Sequence, residues 1–115
     1  CISTEEVFIE SPIYDDFIKK ISLRINDLRS GQGKNDDLGS MIMPDNTVKV
    51  KKHIEEAKAS CKVLEGNSDD GKMFIPPTLV FEPTNDLSIV NEETFGPVLS
   101  LRKFSSEDEL MKKNN

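Results

Sequence analysis

At 115 residues the chain has room for one small domain, and a chain of that length buries only about two-thirds of its unfolded surface. It is 36% apolar and 31% charged with no Trp, the apolar-poor end of globular composition, which leaves a thin core but lies outside the signature of disorder. Its 15 Lys+Arg against 21 Asp+Glu give a net charge of −6 with no basic stripe, so neither nucleic acid nor an anionic membrane surface is an expected partner.

Residues 5–11, EEVFIES, read as a largely buried strand in which Val7 and Ile9 alternate with Phe8 and Glu10. A helix is expected over about residues 12–29, with Ser11 as N-cap, Pro12 at the first helical position and Asp15 and Asp16 in the first turn. Tyr14, Phe17, Ile18, Ile21, Ile25 and Leu28 step by three and four to make its apolar stripe, and Gly31 is the expected C-terminal glycine. Residues 30–47 form a long polar loop with one apolar patch, Met41, Ile42 and Met43. Gly31-Gln32-Gly33 lacks the third glycine and the strand-to-helix setting of a dinucleotide fingerprint, and reads as turn chemistry.

A second helix is expected over about residues 45–60. Val50, Ile54, Ala57 and Cys61 share one face, and His53 falls on the polar side. A short strand over 62–66, a turn at NSDDG (67–71) and an extended stretch over 73–83 follow; Pro76 and Pro77 exclude central pairing at that point. Residues 87–90 read as a brief strand and 97–104 as another. Ser105 or Ser106 caps a last helix, with Ser106 and Glu109 at capping-box spacing. This order is that of an α/β fold with a partly parallel sheet. The last helix carries little apolar surface, so the C-terminus is expected to be a cut.

No apolar run approaches the roughly 18–20 residues that span a bilayer, and the start CISTEEVFIE is charged within five residues, unlike a signal peptide. Two cysteines, Cys1 and Cys61, make no disulfide scaffold, which points to a reducing, intracellular and cytoplasmic setting. One His and two Cys are too few for a structural zinc site, and no metal is expected.

Two stretches can carry chemistry. Cys1 could be a nucleophile, since a thiolate attacks carbonyls once its pKa is lowered or a base is near; the plainer reading of a lone Cys is core filler or a remnant of cloning. Cys61 continues an apolar helix face and reads as core. The second stretch is NEETFGPVLS, residues 91–100. Glu92 and Glu93 read first as exposed acid, yet a Gly-Pro corner follows them and aims the chain into a strand. Such a corner can hold a carboxylate for ribose hydroxyls and a ring for a flat heterocycle.

EETFGPV resembles the Glu-Glu-x-Phe-Gly-Pro-Val signature of the NAD(P)-dependent aldehyde dehydrogenase superfamily, and CISTEEVFIESPIYDDF resembles the segment that begins at its catalytic cysteine. The loop DDLGSMIMP, the Lys-rich helix and FIPPTLVF follow in the family's order, so the likeness covers the chain. It implies part of that catalytic domain over 1–115, a mostly parallel sheet with flanking helices, incomplete at both ends and without the cofactor-binding domain. It implies Cys1 as the catalytic thiol, Glu93 as the ligand of the nicotinamide-side ribose and Phe95 as the ring beside the nicotinamide. NAD or NADP is the implied cofactor, a small aldehyde the substrate, and a homo-oligomer the state of the full-length protein. Where the family usually has Arg five residues after the cysteine, this chain has Glu6.

The implied chemistry runs from a thiohemiacetal on Cys1 through a thioester to a carboxylic acid. The general-base Glu and oxyanion Asn of the family lie upstream of Cys1, and Cys1 itself would offer an amine where the family offers an amide N–H. The 115 residues alone are therefore expected to be inactive. Two other readings stay open: an N-terminal-cysteine hydrolase, and a non-catalytic interaction or antigenic module whose exposed sheet edge pairs with a partner.

Overall fold

The computed structural model describes residues 3–114. In chain order the elements are β1 (Glu6–Glu10), α1 (Ser11–Ile25), β2 (Arg29–Ser30), α2 (Pro44–Lys58), β3 (Lys62–Glu65), β4 (Asn67–Ser68), β5 (Thr78–Phe81), α3 (Ser88–Asn91), β6 (Val98–Phe104) and α4 (Glu107–Asn114). The main sheet is ordered β1-β6-β5-β3. β1 and β5 both pair with β6 in parallel, and β3 runs antiparallel to β5. The fold is α/β with a mostly parallel sheet and helices on its faces, as the sequence led one to expect.

Side chains alternate across a strand, and that alternation divides the core in two. On one face Leu79, Phe81 and Leu101 meet Ile9 and Ile25, with the α1 stripe of Tyr14, Phe17, Ile18 and Ile21 packed over them. On the other, Val80 and Val98 meet Val50, Ile54 and Ala57 of α2, with Cys61 packed against them as core filler. β5 is buried along its whole length, which explains its unbroken TLVF run. Two thin cores sharing one sheet are how so apolar-poor a chain organises an interior.

Several local expectations are corrected. Glu10, not Ser11, occupies the N-cap position of α1, and this leaves Asp15 and Asp16 beyond the first turn. The Ser11 hydroxyl instead donates to the Phe104 carbonyl at 3.0 Å, tying the start of α1 to the end of β6. α1 stops at Ile25, because the chain after it is drawn off into a short parallel pairing of Arg29–Ser30 with Asn67–Ser68. That pairing takes up residues 67–68 of the turn expected at 67–71, and the chain bends at 70–71, where Gly71 has φ +132°. Gly31 caps no helix; a side chain there would run into the carboxylates of Asp36 and Asp69, both of which pair with Arg29.

Residues 88–91 form a helix, not a strand, since both edges of β5 are already taken by β6 and β3. α2 begins at Pro44 and ends at Lys58, close to the expected span. In α4 the Glu109 N–H donates to Ser106 Oγ at 3.2 Å, while the Glu109 carboxylate accepts the Ser105 N–H at 2.7 Å, one residue earlier than in a strict capping box.

Leu101 is fully buried at the centre of β6. Leu101→Ala is expected to cost about 2–5 kcal/mol of stability, a large share of the total for a small domain, and urea denaturation would show it as a lowered midpoint.

Candidate functional site

Glu93 and Phe95, two of the residues singled out in the sequence, lie in the loop through which the chain enters β6, beside the segment that enters β1. Because these neighbours are parallel with Glu6 opposite Ser100, the segments that precede them emerge side by side. One is residues 3–5 and the other is the loop 92–97. Cys1 lies outside the described residues.

The loop is held from several directions. The Glu92 N–H closes α3 by donating to the Ser88 carbonyl at 2.8 Å. The Glu5 carboxylate then accepts two consecutive backbone N–H groups, from Phe95 at 2.7 Å and from Thr94 at 3.3 Å. Hydrogen bonds to an ionised acceptor are the strong kind, and these join residues 89 and 90 positions apart. From α2, Asn46 Nδ2 donates to the Phe95 carbonyl at 2.9 Å. Gly96 lies so close to Val50 that a Cβ would sit 2.8 Å from its Cγ2, a close approach that only glycine tolerates. The Pro97 carbonyl accepts the Thr78 N–H at 2.9 Å and hands the chain to the β5–β6 ladder.

These restraints support an unusual backbone. Phe95 has φ +58°, a left-handed conformation that costs a non-glycine residue about 1–3 kcal/mol and persists only where the surroundings over-determine it. The residue is 55% exposed, although the chain has too few large apolar groups to waste. Phe95 borders a hollow of about 340 Å³ together with Ser3, Glu5, Leu38 and Met41. A second hollow of about 390 Å³, mostly apolar, opens beside it between α1 and the starts of β5 and β6, and Ser3 borders that one too. Glu93 is exposed as well, and Thr94, between the two in sequence, is buried. The two signature residues named from the motif, Glu93 and Phe95, thus lie on one loop as exposed residues either side of a buried one.

Sequence reasoning misplaced His53. It is buried at 4% exposure, with Nδ1 3.0 Å from Thr94 Oγ1 and Nε2 3.8 Å from a Glu92 carboxylate oxygen. The signal was there to find: 50, 53, 54 and 57 step by three and four on the inward stripe. Glu5 went unnoticed because nothing local marks it; its partners are 89 and 90 residues away. Among the described residues no three His, Cys, Asp or Glu side chains gather as a metal site, and no helix is long and apolar enough to cross a membrane.

Two outcomes follow from this geometry. Glu5→Ala is expected to speed amide hydrogen exchange at Thr94 and Phe95 by on the order of ten- to hundredfold, the scale of a charged hydrogen bond, while leaving the β6 amides protected. Glu56 accepts the Ser88 N–H at 2.8 Å and the Ser88 hydroxyl at 2.9 Å, and these bonds hold its carboxyl below the usual carboxylate range. A carboxylate depressed on folding adds stability above its unfolded pKa and loses it as pH falls through the folded one. Glu56→Gln should lower the urea midpoint at neutral pH and match the parent chain once the pH is below the folded Glu56 titration, which denaturation across a pH series would check.

Comparison with known proteins places this geometry. The family model described as "Aldehyde dehydrogenase family" matches residues 1–115. The chain is 31% identical to succinate-semialdehyde dehydrogenase [NADP(+)] 2 of Schizosaccharomyces pombe over 96% of its own length and 24% of that protein. It is 32% identical to 3-sulfolactaldehyde dehydrogenase of Pseudomonas putida, over 100% of its length and 25% of that protein. Among solved structures, succinate-semialdehyde dehydrogenase from Burkholderia pseudomallei superposes with TM-score 0.88 at 31% identity, matching all of this chain and 25% of that one. The chain thus spans about a quarter of the length of the curated relatives it matches. The match runs from the first residue to the last through the loop just described: this chain belongs to the aldehyde dehydrogenase family.

Proposed function

We propose that these residues form the cysteine-to-signature part of the catalytic domain of an NAD(P)-dependent aldehyde dehydrogenase, with the cofactor-binding domain outside them. Cys1 is the catalytic thiol, and Glu93 and Phe95 hold the nicotinamide half of the cofactor. The observation that carries this reading is the parallel register of β1 and β6. Cys1 stands as many residues before Glu6 as Phe95 stands before Ser100, and Glu6 and Ser100 are partners. Ser3, two residues from Cys1, borders the same hollow as Phe95, and two residues of chain reach at most about 7 Å.

The residues present suit half a dinucleotide. The exposed Phe95 ring offers a flat apolar face, and Glu93 beside it offers acceptors for ribose hydroxyls. Bound there, the nicotinamide supplies the hydride acceptor. The Cys1 thiolate adds to the aldehyde carbon and sets the negative charge on its oxygen. Once that carbon has been oxidised it remains on Cys1 as a thioester. Water then attacks the thioester, releasing the carboxylic acid and returning the thiol. The restrained loop supports a fixed ring, and a displacement of about 1 Å at a reacting centre can cost on the order of 100-fold in rate.

The test is reduction of NAD or NADP, followed by absorbance, in the complete protein that carries these residues. Succinate semialdehyde and 3-sulfolactaldehyde head the panel because relatives bear their names. Cys1→Ser is expected to abolish turnover, and Phe95→Ala to raise the KM for cofactor. Full activity in Cys1→Ser would end the assignment. The 115-residue chain alone is expected to show no sustained turnover, since a quarter of the family's length cannot supply both the base and the pyrophosphate site.

A further inference from the structure

We propose that α2 acts as a ruler for the signature loop and that His53 is its decisive positioning residue, an inference that rests on Glu93 and Phe95 being the cofactor contacts. Three side chains on α2 meet three consecutive loop residues. Asn46 Nδ2 donates to the Phe95 carbonyl, Val50 packs against Gly96, and His53 Nδ1 lies 3.0 Å from Thr94 Oγ1. Positions 46, 50 and 53 are spaced four and three apart, so they form one stripe of one rigid helix. A rotation or slide of α2 would move all three contacts together.

His53 differs from its neighbours on that stripe. Val50, Ile54 and Ala57 fill the core with apolar atoms, and an apolar side chain at 53 would do so without the cost of burying an imidazole. The imidazole is nonetheless buried at 4% exposure, and Thr94, its partner, is 2% exposed. Thr94 sits between the two proposed cofactor contacts, so fixing its χ1 and backbone sets the directions in which Glu93 and Phe95 leave the loop. On its other edge Nε2 faces Glu92 at 3.8 Å and borders a charged hollow of about 330 Å³ with Lys49, Lys52 and Glu56. A proton on Nε2, turned towards these carboxylates, leaves Nδ1 as the acceptor of the Thr94 hydroxyl. That tautomer pairs the buried Thr94 hydroxyl with Nδ1, and it makes the hydrogen bond directional.

The test uses the complete protein and four substitutions. His53→Phe keeps the ring and removes Nδ1; Thr94→Val removes the hydroxyl at equal shape; His53→Asn restores a polar atom near the Nδ1 position; the double variant His53→Phe with Thr94→Val closes the cycle. His53→Phe and Thr94→Val are each expected to raise the KM for cofactor about tenfold with little change in the KM for aldehyde, and the double variant to be no worse than either, since one bond is lost in all three. His53→Asn should recover most of the loss. An unchanged cofactor KM in folded Thr94→Val, or effects that add in the double variant, would overturn the proposal; if His53→Phe does not fold, Thr94→Val decides. Phe95→Ala and Glu93→Gln run alongside as controls. Should they also leave the cofactor KM unmoved, it is the functional reading that fails, and the ruler is then judged on the 115-residue chain, where Thr94→Val must shift the Phe95 ring resonances in NMR if it holds and leave them in place if it does not.

Discussion

The parallel ladder between β1 and β6 is the constraint on which the rest depends. Parallel neighbours begin at the same end of a sheet, so whatever precedes them in sequence is brought together however far apart it lies in the chain. Here that rule joins residues 3–5 to residues 92–97, and Glu5 turns proximity into a fixed geometry by accepting two successive N–H groups of the loop. The left-handed Phe95 backbone is a local cost that this long-range bond offsets. An aromatic ring is thereby held out over a hollow when collapse onto the core would otherwise be favoured.

The two faces of the sheet divide the labour. The α1 face holds the larger apolar cluster and ties the strands together. The α2 face holds a second cluster and, from Asn46 to His53 along the same helix, the polar contacts that locate the loop. A helix anchored by Val50, Ile54 and Ala57 has little freedom to shift, which makes it a sound base for hydrogen bonds that must be aimed. Packing on this face therefore bears directly on the site.

Glu6 has a physical account as well. The family pattern usually carries Arg at this position, yet in this chain the Glu6 carboxylate lies 3.5 Å from Nη1 of Arg102, which is 4% exposed on the adjacent strand. A buried guanidinium is costly without an acidic neighbour, so an acid on β1 answers a cation on β6. Asn85 accepts from Nη2 at 2.6 Å, and the Phe8 ring lies 5.7 Å from the guanidinium carbon. The acidic residue near the proposed nucleophile is thus directed to the strand beside it.

Much of this was legible in the chain. Period-two runs marked β1 and β6, steps of three and four marked α1 and α2, and EETFGPV marked the loop, because each is a local pattern imposed by local geometry. The misreadings occurred where distant partners outbid local signals. Ser11 had the chemistry of a cap and was spent on Phe104; residues 87–90 had strand propensity, yet residues 88–91 close as a helical turn while β5 is paired on both sides by β6 and β3; His53 looked polar and was buried against Thr94. By itself the sequence determined the main strands and helices, the fold class and the family signature, since these follow from spacing along the backbone; the short β2–β4 pairing and the helical turn at 88–91 did not. Only the tertiary structure decided that Glu5, Asn46 and His53 meet the loop at Thr94 and Phe95, because a hydrogen bond between remote residues leaves no periodic trace in either segment that makes it.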